Sequence, residues 1–148
     1  MERISIACDH HGIKVKSKII DYLSKKGYEI IDYGTSSTEA VDYPELAFSI
    51  ANSILNEEAD KGILICYTGI GMSIACNRFK KVRCARVVDA DDTKHSRLDN
   101  DANVIAFSSK LPMYTIYDIL DVFLNTPFSN LERHQRRIDL LDKDFFND

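Results

Sequence analysis

Apolar and polar positions divide the chain into two kinds of segment. Short continuous apolar runs recur at Arg3 to Cys8 (ISIAC), Tyr28 to Tyr33 (YEIIDY), Gly62 to Cys66 (GILIC), Cys84 to Val88 (CARVV) and Asn103 to Phe107 (NVIAF). Such runs are too short for helices, and their lack of alternation predicts strands buried on both faces. Between them the apolar residues follow helical spacing. Val15, Ile19, Tyr22 and Leu23 share one face opposite lysines, and Gly27 closes that helix. Pro44 suits the first turn of a second helix carrying Leu46, Ala47, Ile50, Ala51, Ile54 and Leu55. A Gly-rich turn after Cys66 leads into a third. Asp91 to Asn100 is polar with Leu98 as its one apolar anchor, which predicts a short, weakly held helix. Pro112 opens a helix with Met113, Ile116, Leu120 and Phe123 inward, Thr126 and Pro127 stop it, and Leu131 to Leu141 forms a last one.

Strands and helices therefore alternate five times. This predicts an α/β fold with a parallel sheet, right-handed crossovers and helices on both faces. No repeat or flexible linker divides the chain, so the expectation is a single domain over residues 1–148. A net charge of −4 without any basic run argues against nucleic acid, and no apolar stretch is long enough to span a membrane. Cys8, Cys66, Cys76 and Cys84 form no CxxC pair, and MERISIACDH has no signal-peptide layout. Free thiols in the cytoplasm are the expectation.

Candidate chemistry sits where strands end. Asp9, His10 and His11 follow the first strand, Cys66 and Thr68 the third, and Asp89, Asp91 and Asp92 the fourth. In a doubly wound sheet these loops share one edge, where ligands bind. Cys66 precedes Tyr67, Thr68, Gly69, Ile70 and Gly71, whose amides would face a helix start. Such donors favour a thiolate, suited to act as a base or nucleophile. Cys8, Cys76 and Cys84 read instead as small buried hydrophobes. For Asp9 and His10, helix capping is the plainer reading, but the polar content of the neighbouring strand ends favours a site. In the tail, LERHQRRIDLL gathers Arg133, His134, Arg136 and Arg137 on helical spacing. Spacing alone leaves two readings level: a phosphate grip, or a solvated face pairing with Glu132 and Asp139. A CX5R phosphatase loop fails at Met72, GIGMS lacks the P-loop lysine, and DHHG is no dinucleotide fingerprint.

Five stretches together carry a resemblance: IACDHHGIKVK, DYGTSSTEAVDYPELA, GILICYTGIGMSIACNRFKKVRCARV, RLDNDANVIAFSSK and RHQRRID. In order and spacing they resemble the ribose-5-phosphate isomerase B family, also called the ribose/galactose isomerase family. The resemblance implies a five-stranded, three-layer αβα Rossmann-like fold with a C-terminal helix. It implies a homodimer or a tetramer of two dimers, with active sites at the dimer interface. The implied activity is an aldose–ketose isomerisation of ribose 5-phosphate and ribulose 5-phosphate, without metal or organic cofactor. By the same resemblance Cys66 is the base and Thr68 assists. The amides of Tyr67, Thr68, Gly69, Ile70 and Gly71 hold the enediolate. Asp9 and His10 contact sugar or phosphate, Asn100 a sugar hydroxyl, and Arg133, His134 and Arg137 the phosphate end. Lys110, where the family usually has arginine, adds charge from the partner subunit. Asp99 stands where the family commonly has a ring-opening histidine; it keeps that catalytic role if burial raises its pKa, and otherwise ring opening passes to Asp9, to a nearby histidine or to the spontaneous open-chain form. Tyr67 stands where the family has a small residue. Two other readings follow: a hexose 6-phosphate isomerase (allose or galactose 6-phosphate), and a catalytically silent sugar-phosphate-binding subunit.

Overall fold

A computed structural model describes residues 2–144. Five strands, β1 (Arg3–Cys8), β2 (Glu29–Asp32), β3 (Lys61–Cys66), β4 (Cys84–Arg86) and β5 (Val104–Ser108), form one parallel sheet in the order β2-β1-β3-β5-β4. Six helices connect and follow them: α1 (Ile13–Lys25), α2 (Tyr43–Leu55), α3 (Ile70–Cys76), α4 (Ala90–Asn100), α5 (Met113–Asn125) and α6 (Glu132–Leu141). The α/β architecture expected from the pattern is the one observed. Among the described residues no helix is long and apolar enough to cross a membrane.

Alternate strand side chains enter opposite layers, as a period of two requires. Ile63, Ile65, Ile105 and Phe107 pack with Ile19 and Leu23 of α1 and Ile116, Leu120 and Phe123 of α5. Leu64, Cys66, Val104 and Ala106 face the other way, onto Ala47, Ile50 and Ala51 of α2 and Met72 and Ala75 of α3. Both faces are covered, which is why these strands read as continuous apolar runs. β1 passes to β2 on one side and lies against β3 on the other. The carboxyl ends of β1 and β3 therefore flank the switch point of the sheet, where α/β proteins bind ligands.

The helix over Asp91 to Asn100 departs from expectation. Leu98 is only half-buried, and the inward face consists of Thr93, Ser96 and Arg97. The Arg97 guanidinium donates to the carbonyls of Ala102 (2.7 Å) and Thr126 (2.9 Å) and to Asp101 Oδ1 (2.8 Å). Asp89 Oδ1 accepts from the Asp92 amide at 2.9 Å and caps the other end. Hydrogen bonds rather than apolar burial anchor α4. Hydrophobic periodicity cannot register an anchor that is an arginine. β4 is also shorter than the CARVV run, because the chain turns at Asp89 to begin α4.

Replacing Arg97 by Leu leaves the buried Ala102 carbonyl and the part-buried Thr126 carbonyl without their donor, and Asp101 with Arg83 alone among the described residues. The expected cost is about 3 kcal/mol of unfolding free energy, read as a fall in the urea midpoint; an unchanged midpoint would show that α4 is held by other contacts.

Candidate active site

Two groups of polar residues lie at opposite ends of the sheet. The first surrounds Cys66, the last residue of β3, whose side chain faces the α2/α3 layer with the residue 6% exposed. Its Sγ accepts the Gly69 amide at 3.0 Å. That donor stabilises negative charge on sulfur. Gly69 holds a positive φ of 81° at the N-cap of α3, and a Cβ there would lie 2.8 Å from the Phe107 Cα. Only glycine fits this approach of the turn to β5. A Cβ on Gly71 would strike the Tyr43 ring at 2.7 Å, so α3 also packs tightly against the start of α2.

The five amides expected to serve alike are not equivalent. Tyr67 N–H donates to Asp9 Oδ2 at 3.3 Å, Gly69 N–H to Cys66, and Ile70 N–H to Thr68 Oγ1 at 3.2 Å. Among the described residues the amides of Thr68 and Gly71 have no acceptor. The Asp9 amide donates to the Ile65 carbonyl at 3.0 Å, pinning the turn after β1 to β3. The nearly buried Asp9 carboxylate also accepts the His11 amide (2.9 Å) and faces His11 Nδ1 (3.3 Å). His10 stacks on His11 at 3.9 Å, and its Nδ1 is buried without a hydrogen-bond partner among the described residues. Asp9, His10 and His11 offer ligand atoms within 4.8 Å of one another, but both Asp9 oxygens already have donors.

Tyr67 stands at the rim of this group. Its ring meets His11 edge-on at 4.8 Å and carries the Lys110 ammonium at 4.1 Å on its face. Lys110 thus reaches this edge within its own chain, without help from a second copy. Asp89, Asp91 and Asp92, expected at the same edge, are set apart from it. β5 stands between β3 and β4, so they begin two strands away, about 10 Å. Asp89 and Asp92 there cap the start of α4, with Asp92 Oδ2 accepting the Val88 amide at 3.1 Å.

The other thiols differ from Cys66 in surroundings. Burial pushes the Cys8 thiol up to about 11, against the pull of the Lys16 ammonium. A hydrogen bond to Cys76, reinforced by burial, holds the Cys84 thiol well above the usual range. Both stay protonated at neutral pH, in keeping with a packing role.

The second group lies at the amino end of the sheet. Asn100 closes α4, and the carbonyls of Asn100 and Asp101 accept from Arg83 Nε at 3.0 and 3.1 Å. Arg83 immediately precedes β4. Register pairs Gly62 with Val104 and Cys66 with Ser108. Four residues of strand, about 13 Å, therefore separate the level of Cys66 from that of Asn100. α6 docks beside Asn100 through a 3.2 Å bond from the Ser129 amide to the Leu98 carbonyl. A cavity of about 290 Å³ opens there, lined by Asp99, Asn100, His134, Arg137, Ile138 and Leu141. On α6, Arg136 pairs with Glu132 (3.1 Å) and Gln135 with Asp139 (2.9 Å). Arg133 and Arg137 have no ion-pair partner among the described residues. The solvated-face reading thus describes Arg136, and the anion-grip reading fits Arg133 and Arg137.

One chain accordingly brings together Asp9, His10, Cys66, Tyr67, Thr68, Gly69, Ile70, Gly71 and Lys110 at one end, and Asp99, Asn100, Arg133, His134 and Arg137 at the other. The motifs left one neighbour unmarked, His95. The i,i+4 spacing of His95 to Asp99 was the available signal, and His95 Nδ1 lies 3.6 Å from Asp99 Oδ2.

Residues 4–141 match the family model described as Ribose/Galactose Isomerase. A ribose-5-phosphate isomerase B of Escherichia coli is 38% identical over 142 residues, covering 95% of each chain. The crystal structure of a ribose 5-phosphate isomerase from Thermotoga maritima superposes with a TM-score of 0.91 at 43% identity, covering 95% of this chain and 97% of that one. A ribose-5-phosphate isomerase B from Mycoplasma genitalium, solved with bound ribulose-5-phosphate, superposes with a TM-score of 0.91 at 36% identity, covering 99% and 97%.

Proposed function

The chain belongs to the ribose/galactose isomerase family, and on that premise we propose that it interconverts ribose 5-phosphate and ribulose 5-phosphate through an enediolate, with Cys66 as the base. The observation that carries this reading is the Gly69 amide donating to Cys66 Sγ at 3.0 Å. A thiolate held there takes the proton from C2 of the open-chain aldose. The C2–H electron pair forms the C1–C2 double bond, and O1 becomes anionic. The O2 hydroxyl proton passes to O1, the same sulfur returns its proton to C1, and the C1–C2 double-bond pair forms that C1–H bond as the O2 lone pair closes the ketone at C2. No metal or organic cofactor enters these steps.

The enediolate carries charge absent from the neutral sugar, so fixed donors aimed at it act on the transition state selectively. The unengaged amides of Thr68 and Gly71 are the donors available, each typically worth about 3 kcal/mol. The Thr68 hydroxyl sits at the same turn. Asp9 is the acceptor that fixes the Tyr67 amide and the His11 ring. The orphaned His10 Nδ1 gains its missing partner from a substrate oxygen. An unpaired buried polar atom costs about 1–3 kcal/mol, which bound sugar phosphate recovers.

Asn100, Arg133 and Arg137 then act from a second copy of the chain, in a homodimer with its sites at the interface. Their place at the far end of the sheet supports this, as does the apolar surface beside Cys66. Ile70 is 48% and Ile74 61% exposed on α3, the helix that follows Cys66, and Tyr43, whose ring lies against Gly71 of that helix, is also exposed. A monomer seldom leaves such a patch to water. Arg133 and Arg137, without an ion-pair partner among the described residues, suit bidentate binding of a phosphate.

The Tyr67 ring, braced by His11 and Lys110, favours a pentose over a hexose chain by occupying the rim.

Cys66→Ala is expected to keep the fold and lose at least about a thousandfold in kcat for ribulose 5-phosphate formation from ribose 5-phosphate. Near-native turnover would remove Cys66 as the base. Tyr67→Gly is expected to raise kcat/KM for allose 6-phosphate relative to ribose 5-phosphate by about tenfold; an unchanged ratio would show that the ring does not limit chain length.

A further inference from the structure

The cavity at the amino end holds one carboxylate between two imidazoles. Asp99 Oδ1 lies 3.5 Å from His134 Nε2, and Asp99 Oδ2 lies 3.6 Å from His95 Nδ1. The His134 side chain is 13% exposed and lines the cavity with Asn100 and Arg137. His95 faces solvent and also approaches Asp91, at 3.7 Å. His134 Nδ1 has no hydrogen-bond partner among the described residues. We propose that His134, oriented by Asp99, is the acid–base group that opens the furanose ring of the sugar phosphate. This rests on the isomerase reading above and deepens it.

Proton transfer from C2 requires a carbonyl at C1, and a pentose 5-phosphate in solution is closed through O4 onto C1. Opening takes a proton from the O1 hydroxyl and delivers one to O4. A carboxylate side chain performs the first task but is a poor acid at neutral pH; an imidazole performs both. Asp99 facing Nε2 selects the tautomer that carries hydrogen there and leaves Nδ1 bare as the base. Nδ1 takes the O1 proton, the O1 electrons form the C1 carbonyl, and the C1–O4 bond breaks with its pair going to O4. The imidazolium, balanced by the Asp99 charge, then gives its proton to O4. One proton is taken and one returned, and nothing is oxidised. Asp99 is a positioning residue here, steadied from its other oxygen by His95. At 3.5 Å the His134–Asp99 contact is longer than a hydrogen bond, as pairs of this kind often are before substrate closes on them.

Ribulose 5-phosphate separates ring opening from proton transfer. Its 5-hydroxyl is esterified, so the ketose has no furanose form. In D2O, exchange of its C1 hydrogen therefore reports the thiolate step alone. For His134→Asn, kcat/KM with ribose 5-phosphate is expected to fall about a hundredfold. The equilibrium constant requires the same fall in kcat/KM with ribulose 5-phosphate. C1 exchange from ribulose 5-phosphate is expected to fall at least about tenfold less than turnover does. Asp99→Asn, which keeps the side-chain volume and removes the charge, is expected to show the same split at about tenfold. A parallel fall of exchange and turnover in both variants, or near-native turnover in His134→Asn, overturns the assignment. Exchange that persists in Cys66→Ala contradicts the thiolate base instead, so the two readings fail separately.

Discussion

Everything about the site follows from the length of two paired strands. β3 and β5 run parallel and in register from Gly62 opposite Val104 to Cys66 opposite Ser108. The sulfur is fixed at one end of that ladder, and α4 returns the chain to the other end before Asn100. On the proposed reading, a thiolate and a phosphate grip on the same sugar then come from different copies, and dimerisation is part of the chemistry rather than an addition to it.

Several local features that look costly in one chain make sense on that basis. Among the described residues Arg133 and Arg137 have no carboxylate partner, while Arg136 beside them is paired. His10 keeps a buried ring nitrogen with no hydrogen-bond partner among the described residues. Ile70 and Ile74 stand exposed on α3, the helix that follows the sulfur. Each is a group held ready for something that one chain alone does not supply. The rigid parts are those that set the sulfur: Gly69 against the backbone of β5, Gly71 under Tyr43, and Asp9 clamping the Tyr67 amide. Proton transfer at carbon tolerates little misplacement, and these contacts leave the turn little room to move.

The layers and every strand were legible in the sequence, because a strand buried on both faces announces itself as an apolar run. The helix over Asp91 to Asn100 was legible in position but not in the force that holds it, since Arg97 anchors it by hydrogen bonds. Strand order was not legible: alternation of elements is equally compatible with β4 beside β3, and only packing put β5 between them. That one insertion removed Asp89, Asp91 and Asp92 from the Cys66 edge. The residues of the candidate site were found by motif, but their division between two ends of the sheet was not. Spacing along a chain carries no information about which end of a sheet a helix returns to until the strands are counted and paired. The inequality of the five turn amides was likewise invisible, because it depends on where the Asp9, Cys66 and Thr68 side chains point.

Subunit complementation tests the divided site most directly. Cys66→Ala and Arg137→Ala, each expected to be nearly inactive alone, are unfolded together in equal amounts, refolded, and assayed for ribulose 5-phosphate formation. Random pairing makes about half the dimers mixed, each with one intact site of two, so activity should return to about a quarter of that of the unmodified protein. Failure of the mixture to exceed the sum of the two variants, with mixed dimers shown to be present, would place Cys66 and Arg137 in the same copy and contradict the division.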